Sequence, residues 1–449
     1  MSTETPCATT GSPPTGWRPS TRIAFRFCVV YFGSFCLLLT LIPFALLGIL
    51  GRWVHGVGGR WTVSPADPIT GWVGSTVFGV DAVLHQDSGA GDQTANWVLV
   101  FCLLVVAVVA AAGWTLVDRR TSHPRLSAWF TLFLRLCLGG QMLGFGLAKL
   151  IPTQMPGPTL AQLLQPYGDL SPASVLWLQV GSSHPYEMAL GAAEVAAGLL
   201  LFVPRTAVLG AAASLTSMAQ VLLLNLTFDI PEKLLSGHLL LISTVLLAPH
   251  VPRLIDFFLR QRRCESPRPP ALFAEARKNR IALWLQVALC VWVVLGGGYD
   301  RWRVWQDQYS AGSPRSELHG IWDVCDFTLD GRSVPPLTTD PNRWQRMIFD
   351  DPAEAVYQRM DGQLVPVHAE FRPGGQLELT TVTLPGEVST ASPTPFATLS
   401  AERPTPDRLR LHGKLHDRPV EVTLQRKDPN DFTLNSRGFH WVQDHPFFR

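Results

Sequence analysis

The sequence predicts a polytopic α-helical membrane protein with about seven transmembrane helices, followed by a C-terminal antiparallel all-β domain of barrel-like type. Three observations lead there. Of 449 residues, 47% are hydrophobic and only 16% charged, whereas soluble domains carry about 25% charged residues. The deficit is concentrated in residues 21–300, where long apolar runs follow one another. Residues 301–449 read differently, as short β-type runs separated by turn signals. A net charge of +2, with no zinc-finger spacing or RNA-binding signature, argues against a nucleic-acid partner.

In chain order, residues 1–22 are small, polar and Pro-rich, the composition of a disordered tail. Seven apolar runs then approach the roughly 20 residues a helix needs to cross a hydrocarbon core about 30 Å thick. They cover about 23–50, 96–117, 127–150, 186–203, 206–225, 233–249 and 281–299. The first is too long, and too far from the N-terminus, for a cleaved signal peptide. Residues 23–126 are then two flanking helices around a Gly- and Trp-rich loop, and 127–260 a four-helix core. A basic loop (261–280), the last helix, a linker (300–316) and the β domain (317–449) follow. With a cytoplasmic N-terminus and all seven runs spanning, fourteen Lys and Arg fall on the inner side against two or three outside. That bias predicts a plasma (inner) membrane protein with an extracytoplasmic C-terminal domain.

The connections carry fewer signals. In the loop ending "HQDSGAGDQTANW", Asp81, His85, Asp87 and Asp92 raise a metal site. No spacing there matches a calcium loop, so the expectation is a polar loop capping the next helix, with no metal. Loop 151–185 has a short amphipathic piece near 159–165. It is either a plain connector or a flap over the outer mouth of the bundle. Of eight cysteines, Cys28, Cys36, Cys102, Cys137 and Cys290 lie in apolar runs, and only Cys325 in the exported domain. No C-x-x-C occurs, which disfavours a dithiol relay.

Beyond Trp302 and Trp305, placed at the headgroup level, come runs such as "GIWDVCDFTLDG", "RWQRMIFD" and "RPVEVTLQRKD". Their spacing of about 8–12 residues and the turns "LDG", "MDG" and "RPGG" suit a small antiparallel barrel or sandwich. Gly320-Ile321-Trp322 resembles the G-x-W start of lipocalin-like barrels. The aromatic tail "NSRGFHWVQDHPFFR" is expected to plug or cap the barrel.

Polar residues inside the apolar runs are the candidate site. A charge at mid-membrane costs at least about 2.5–3.5 kcal/mol, so it pairs, meets water or serves a function. At 1.5 Å per residue, Arg135 and Glu194 each lie roughly 12–13 Å from the inner end of their runs, which predicts an Arg135–Glu194 pair. Glu187 and Glu194 share a face with Gly191 and Gly198. Arg135, Gly139, Met142, Gly146 and Lys149 form a stripe on the preceding helix. Two readings stand side by side. In one, these groups are interhelical glue, with Lys149 reaching to the headgroups and His238 held in a hydrogen bond. In the other, Gln141, Lys149, Glu187, Gln220, Asn225 and His238 line a polar cavity floored by Arg135 and Glu194. That cavity would take a quinone, a lipid headgroup or a small anion.

Residues 127–260 resemble the DoxX/DoxD-like family of membrane proteins. The resemblance rests on Arg135 before a Gly-rich helix ending "FGLAKL", then "E-x6-E-x3-G" from Glu187 to Gly198 and the hairpin "LLLFVPRTAVLGA". "SGAGDQTANW", "GIWDV" and "RGFHW" look like a larger subgroup with flanking helices and a β domain. The fold also resembles the membrane part of vitamin K-dependent carboxylase-like proteins. The resemblance implies a four-helix membrane core, with Arg135, Lys149 and Glu194 as its polar positions. It also implies a link to thiosulfate:quinone oxidoreduction or to redox and sulfur-stress complexes. The expectation is a redox-associated component handling a quinone or sulfur compound. The alternative is a non-enzymatic accessory or assembly factor whose exported β domain binds a lipid, peptide or membrane or periplasmic protein partner. A solute carrier is disfavoured because no inverted repeat is evident.

Overall fold

The computed structural model describes residues 16–39, 41–51, 67–85, 88–260, 271–310, 312–382 and 395–448. Most of the N-terminal tail, Asp87 and half of the basic loop lie outside them. Among the described residues, seven helices are long and apolar enough to cross a membrane. They are α1 (Pro19–Leu38), α4 (Thr94–Val117), α5 (Pro124–Leu150), α7 (His184–Phe202), α8 (Ala207–Thr227), α9 (Lys233–Leu247) and α11 (Ala276–Gln308). The span of α9 runs on to Asp256 through α10 (Val251–Phe258). Short helices α2 (Leu41–Phe44), α3 (Asp67–Val73), α6 (Pro172–Gly181) and α12 (Thr433–Ser436) complete the set.

The first run, expected to be one helix over 23–50, is broken. Leu39 leaves α1 in an extended conformation, and the chain resumes as α2 and a 3₁₀ turn, Ala45–Leu50. Pro43 has no N–H to give to a continuous helix, and Gly48 takes φ +55°, a value that favours glycine. The broken piece is held by α11. Trp292 Nε1 donates to Leu47 O at 3.0 Å, and a Cβ on Gly296 would stand 2.5 Å from the Ile49 nitrogen. At the other end of α1, Arg26 is buried, donates to Asp118 O at 2.7 Å and lies over the Trp114 ring.

The chain divides into two compact units, residues 1–154 with 185–304 and residues 155–184 with 305–449. In the first, α5 is the central helix: 67% of its apolar window is buried, against 22–44% for the other six. Cys36, Phe35, Leu138, Met142, Leu201, Leu239 and Ile242 belong to its apolar core.

The second unit is built on a nine-stranded antiparallel sheet: β1 (Gly320–Leu329), β2 (Arg332–Ser333), β3 (Trp344–Phe349), β4 (Glu354–Arg359), β5 (Leu364–Arg372), β6 (Gln376–Thr381), β7 (Ala397–Thr405), β8 (Arg408–Leu415) and β9 (Arg418–Lys427). Strands β3 to β9 follow one another in space, and β1 pairs with both β3 and β9. This closes an eight-stranded barrel, with β2 as a short extra strand on β1. The β1–β9 register slips between Val324 and Asp326, a bulge that lets β1 curve around the closure. Alternation of buried and exposed residues, clearest in β8 and β9, sends one face inward. Trp322, Phe327, Phe349, Leu377, Leu409 and Val422 fill that interior, as eight strands leave room only for side chains or one small ligand. The expected plug or cap is not formed by Phe439, Trp441 and Phe448, which are 78–92% exposed; the interior is filled by the barrel's own side chains.

Residues 155–184 fold with the β domain rather than with the four-helix core that the sequence places them in. Leu160 packs against Ile321 and Ile348, and its N–H donates to Asp350 Oδ2 at 2.9 Å. Ser171 caps α6 by accepting from Ser174 N.

Candidate functional site

The α5 stripe does face α7, and glycines set how the two helices meet. A Cβ on Gly146 would lie 2.6 Å from Val195 N, one on Gly191 2.4 Å from Leu150 N, and one on Gly198 2.8 Å from the Leu143 side chain. Such approach is open only to small residues. This register places Gly146 opposite Val195. Arg135 therefore lies roughly 16 Å along α5 from the level of Glu194, and the expected Arg135–Glu194 pair does not form.

Glu194 instead pairs with Lys149, Nζ to Oε2 at 2.7 Å, with side chains 8% and 5% exposed. Lys149 does not reach for headgroups; its ammonium is turned into the bundle and lies over the Phe145 ring. Arg135 donates from Nε and Nη2 to Leu201 O at 3.0 and 2.7 Å, and from Nη2 to Gln286 Oε1 at 3.4 Å. Leu201 belongs to the last turn of α7, whose carbonyls lack helical partners. A cation there also meets the negative end of the helix dipole. The depth estimate misled because distances from helix ends carry no information on interhelical register.

The remaining candidates separate. His238, on α9, meets α1: Nδ1 is 2.7 Å from Leu234 O and Nε2 is 2.8 Å from the Tyr31 hydroxyl. A carbonyl only accepts, so Nδ1 carries a proton, and Nε2 shares its hydrogen bond with the Tyr31 hydroxyl. Phe35 stacks on the ring at 3.9 Å. Both ring nitrogens are used. Asn225 donates to Glu232 O and Ser236 Oγ, tying the α8–α9 turn together. Glu187 and Gln141 are buried. Gln220 is exposed on the surface of α8, which removes it from any shared cavity. The structure thus distributes the candidates among separate helix contacts: α5–α7 for Lys149 and Glu194, α5–α7–α11 for Arg135, α1–α9 for His238.

The Gly-rich loop before α4 has another role than the one expected. Asp92 accepts from Lys233 N and Leu234 N at 2.8 and 2.7 Å, capping α9 rather than the next helix. Gly91 N and Asp92 N donate to Pro231 O. Gln93 holds the loop's shape by accepting from His85 N and donating to His85 O. Against this loop sits Glu232, close enough that a Cβ on Gly91 would meet its carboxylate at 2.6 Å. Burial, then the Asp92 charge, push the Glu232 carboxyl up to about 7, while the Gly91 N–H pulls the other way. Among the described residues no three His, Cys, Asp or Glu are grouped to hold a metal.

Several of these residues escaped the sequence. Arg26 carries the same signal as Arg135, an arginine in an apolar run. Gln286 is a glutamine within the last span. Tyr31 has no signal before its partner is known. The second unit adds an open cleft of about 510 Å³ between residues 158–182 and 432–434. Pro158, Leu163, Leu170, Leu178, Phe432 and Leu434 give it an apolar wall, and Gln162, Gln165 and Gln179 the amides; no charged side chain lines it.

No family profile matches the chain, and no solved structure matches it. The comparison with curated proteins finds the uncharacterized protein YwoB of Bacillus subtilis (strain 168), 32% identical over 138 residues, which cover 29% of this chain and 79% of the relative. Identity at that level across most of the relative's length shows that the chain belongs to the same family as YwoB.

Proposed function

We propose that this is a plasma-membrane accessory protein that acts by binding. Its second unit, on the extracytoplasmic side, docks a neutral apolar peptide segment of a membrane or periplasmic partner. The cleft at residues 158–182 and 432–434 carries the reading. Its apolar wall suits side chains, its glutamines suit the N–H and C=O groups of an extended peptide, and the lack of charge in its lining disfavours an anionic headgroup. The barrel interior is filled by its own side chains, and the bundle's buried cations are spent on helix contacts. A photo-crosslinking residue at Leu178 or Leu434 of the full-length protein in cells should yield one protein adduct, lost in Leu163→Asp. Adducts with lipid alone would overturn the reading. The orientation rests on the arginine bias; a reporter fused after Arg449 should be active only in an export-dependent assay.

A second reading keeps the DoxX-like redox component that handles a quinone or sulfur compound. The Lys149–Glu194 pair favours it, since ionisable pairs inside a membrane commonly serve proton or ligand traffic. Quinol turnover lost in Glu194→Gln would support it, and turnover unchanged in that variant would exclude it.

A further inference from the structure

We propose that the end of the bundle where α1 begins and α4 gives way to α5 holds a binding site for a phosphate oxyanion, presented by the headgroup of an anionic phospholipid. Segments 16–26 and 118–125 carry six arginines against one acid, Asp118. The fold draws them together. Trp17 N donates to Thr121 O at 3.0 Å, Arg22 Nη1 to Arg120 O at 3.5 Å and Arg26 Nη2 to Asp118 O at 2.7 Å. An inner-side bias accounts for exposed arginines such as Arg119 and Arg125. It does not account for Arg26, which is 1% exposed, or for Arg22, which is half-buried. The Nε–H groups of both are buried and have no acceptor. His123, itself buried, adds a third unmatched atom, Nε2.

Asp118 does not meet that need. Its Oδ1 accepts from Arg120 N and its Oδ2 from Trp114 Nε1. Arg26 Nη2 and His123 Nε2 stand 4.0 and 3.6 Å from Oδ2, beyond hydrogen-bond length. A guanidinium only donates, so the group that completes the site is an acceptor, and with cations in excess it is an anion. Phosphate oxygens are strong, charge-assisted acceptors for arginine. Two helix N-termini add donors. Neither α1, with Arg18 at its cap, nor α5, with His123, has a side-chain cap, and free N–H groups there attract anions. Depth selects the source. Arg22 and Arg26 stand about 5 and 10 Å along α1 from Pro19. Trp17 packs on Phe25, and Arg26 lies over the Trp114 ring. Tryptophans mark the headgroup level, and basic pockets between helix ends at that level take anionic headgroups. Entry is from the rim, through half-buried Arg22 and exposed Arg120. The inference rests on the helices spanning a membrane, and not on the cleft or on the Lys149–Glu194 pair.

The test uses the full-length protein in a mild neutral detergent, stripped of lipid. Phosphatidylglycerol, phosphatidylcholine or inorganic phosphate is added, and bound ligand is read by native mass spectrometry. The expected result is a single phosphatidylglycerol on each chain, retained in preference to phosphatidylcholine. Arg22→Gln should weaken its binding about tenfold or more, the effect of losing one charged hydrogen bond, and Arg26→Gln should abolish it. Where Arg26→Gln fails to fold, Arg22→Gln decides, because its residue is only half-buried. Arg277→Gln removes an exposed arginine at the start of α11 and should bind like the wild type. Equal retention of the two lipids would overturn the proposal, as would equal losses in Arg22→Gln and Arg277→Gln. A phosphate adduct formed in place of lipid and lost in Arg22→Gln would support the anion site and overturn the headgroup as its source.

Discussion

The Lys149–Glu194 pair offers the sharpest test of how this bundle is held together. At 2.7 Å and an effective dielectric constant of about 20, the gross attraction is roughly 6 kcal/mol. Desolvation of two charges removes much of that, so the net worth of the pair is small. Removing one partner is different, because it leaves a lone charge among apolar groups at a cost of about 3–5 kcal/mol. Lys149→Met and Glu194→Leu should therefore each lower stability by about 3 kcal/mol or more. The double substitution should come within about 1 kcal/mol of the wild type, since both replacements keep volume and neither leaves a charge. Reversible unfolding of the purified protein, followed by tryptophan fluorescence through a denaturing-detergent titration, measures all four corners of the cycle. Additive losses in the double variant would refute the pairing, as would single variants that cost nothing.

Three further outcomes follow from the same geometry. Arg135→Leu should cost about 1–3 kcal/mol by stripping the Leu201 carbonyl of its donors. Adding Glu194→Leu should deepen the loss rather than relieve it, in a thermal melt of the same preparation, because the two residues are not partners. Gly191→Ala puts a methyl 2.4 Å from the Leu150 nitrogen; the backbone cannot yield there, and a loss of about 3 kcal/mol is expected, with relief only if the hairpin separates. Glu232 sets a pH dependence. Its folded-state carboxyl, at about 7 against 4.5, binds its proton more tightly than in the unfolded chain. Its stabilising share is full below 4.5 and is lost as pH rises through about 7. The shift corresponds to about 3 kcal/mol, reduced to about 2 because the residue is only half-buried and solvent screens it. Glu232→Gln should flatten the melting temperature between pH 5 and 8 and protect the amides of loop 88–96 at pH 8; an unchanged slope would refute the assignment.

The seven spans and the barrel class were legible because they rest on composition and period, which are local. A run such as 96–117 is apolar in any arrangement, and the alternation of β8 and β9 marks an inward face before the partner strands are known. The packing stripe Arg135–Gly139–Gly146–Lys149 and the face Glu187–Gly191–Glu194–Gly198 were legible for the same reason, as helical spacing puts them on one side. The pairing between those faces was not. It depends on how far α5 slides along α7, and the backbone contacts of Gly146 and Gly191 set that slide. The contrast between Gln220 and Asn225 shows the same limit: both are polar residues in one apolar run, yet one faces outward and the other ties a turn.

By itself, then, the chain's order of residues determines that it is a multi-helix membrane protein ending in a β barrel, and which helix faces are small and polar. Only the folded arrangement decides that Lys149 takes Glu194, that Arg135 closes the end of α7, and that Asp92 caps α9 across the loop. The reason is physical: burial and periodicity act over a few neighbouring residues, whereas an ion pair or a cap in trans needs atoms from distant segments to come within about 3–4 Å, and that is set by backbone register and close glycine packing.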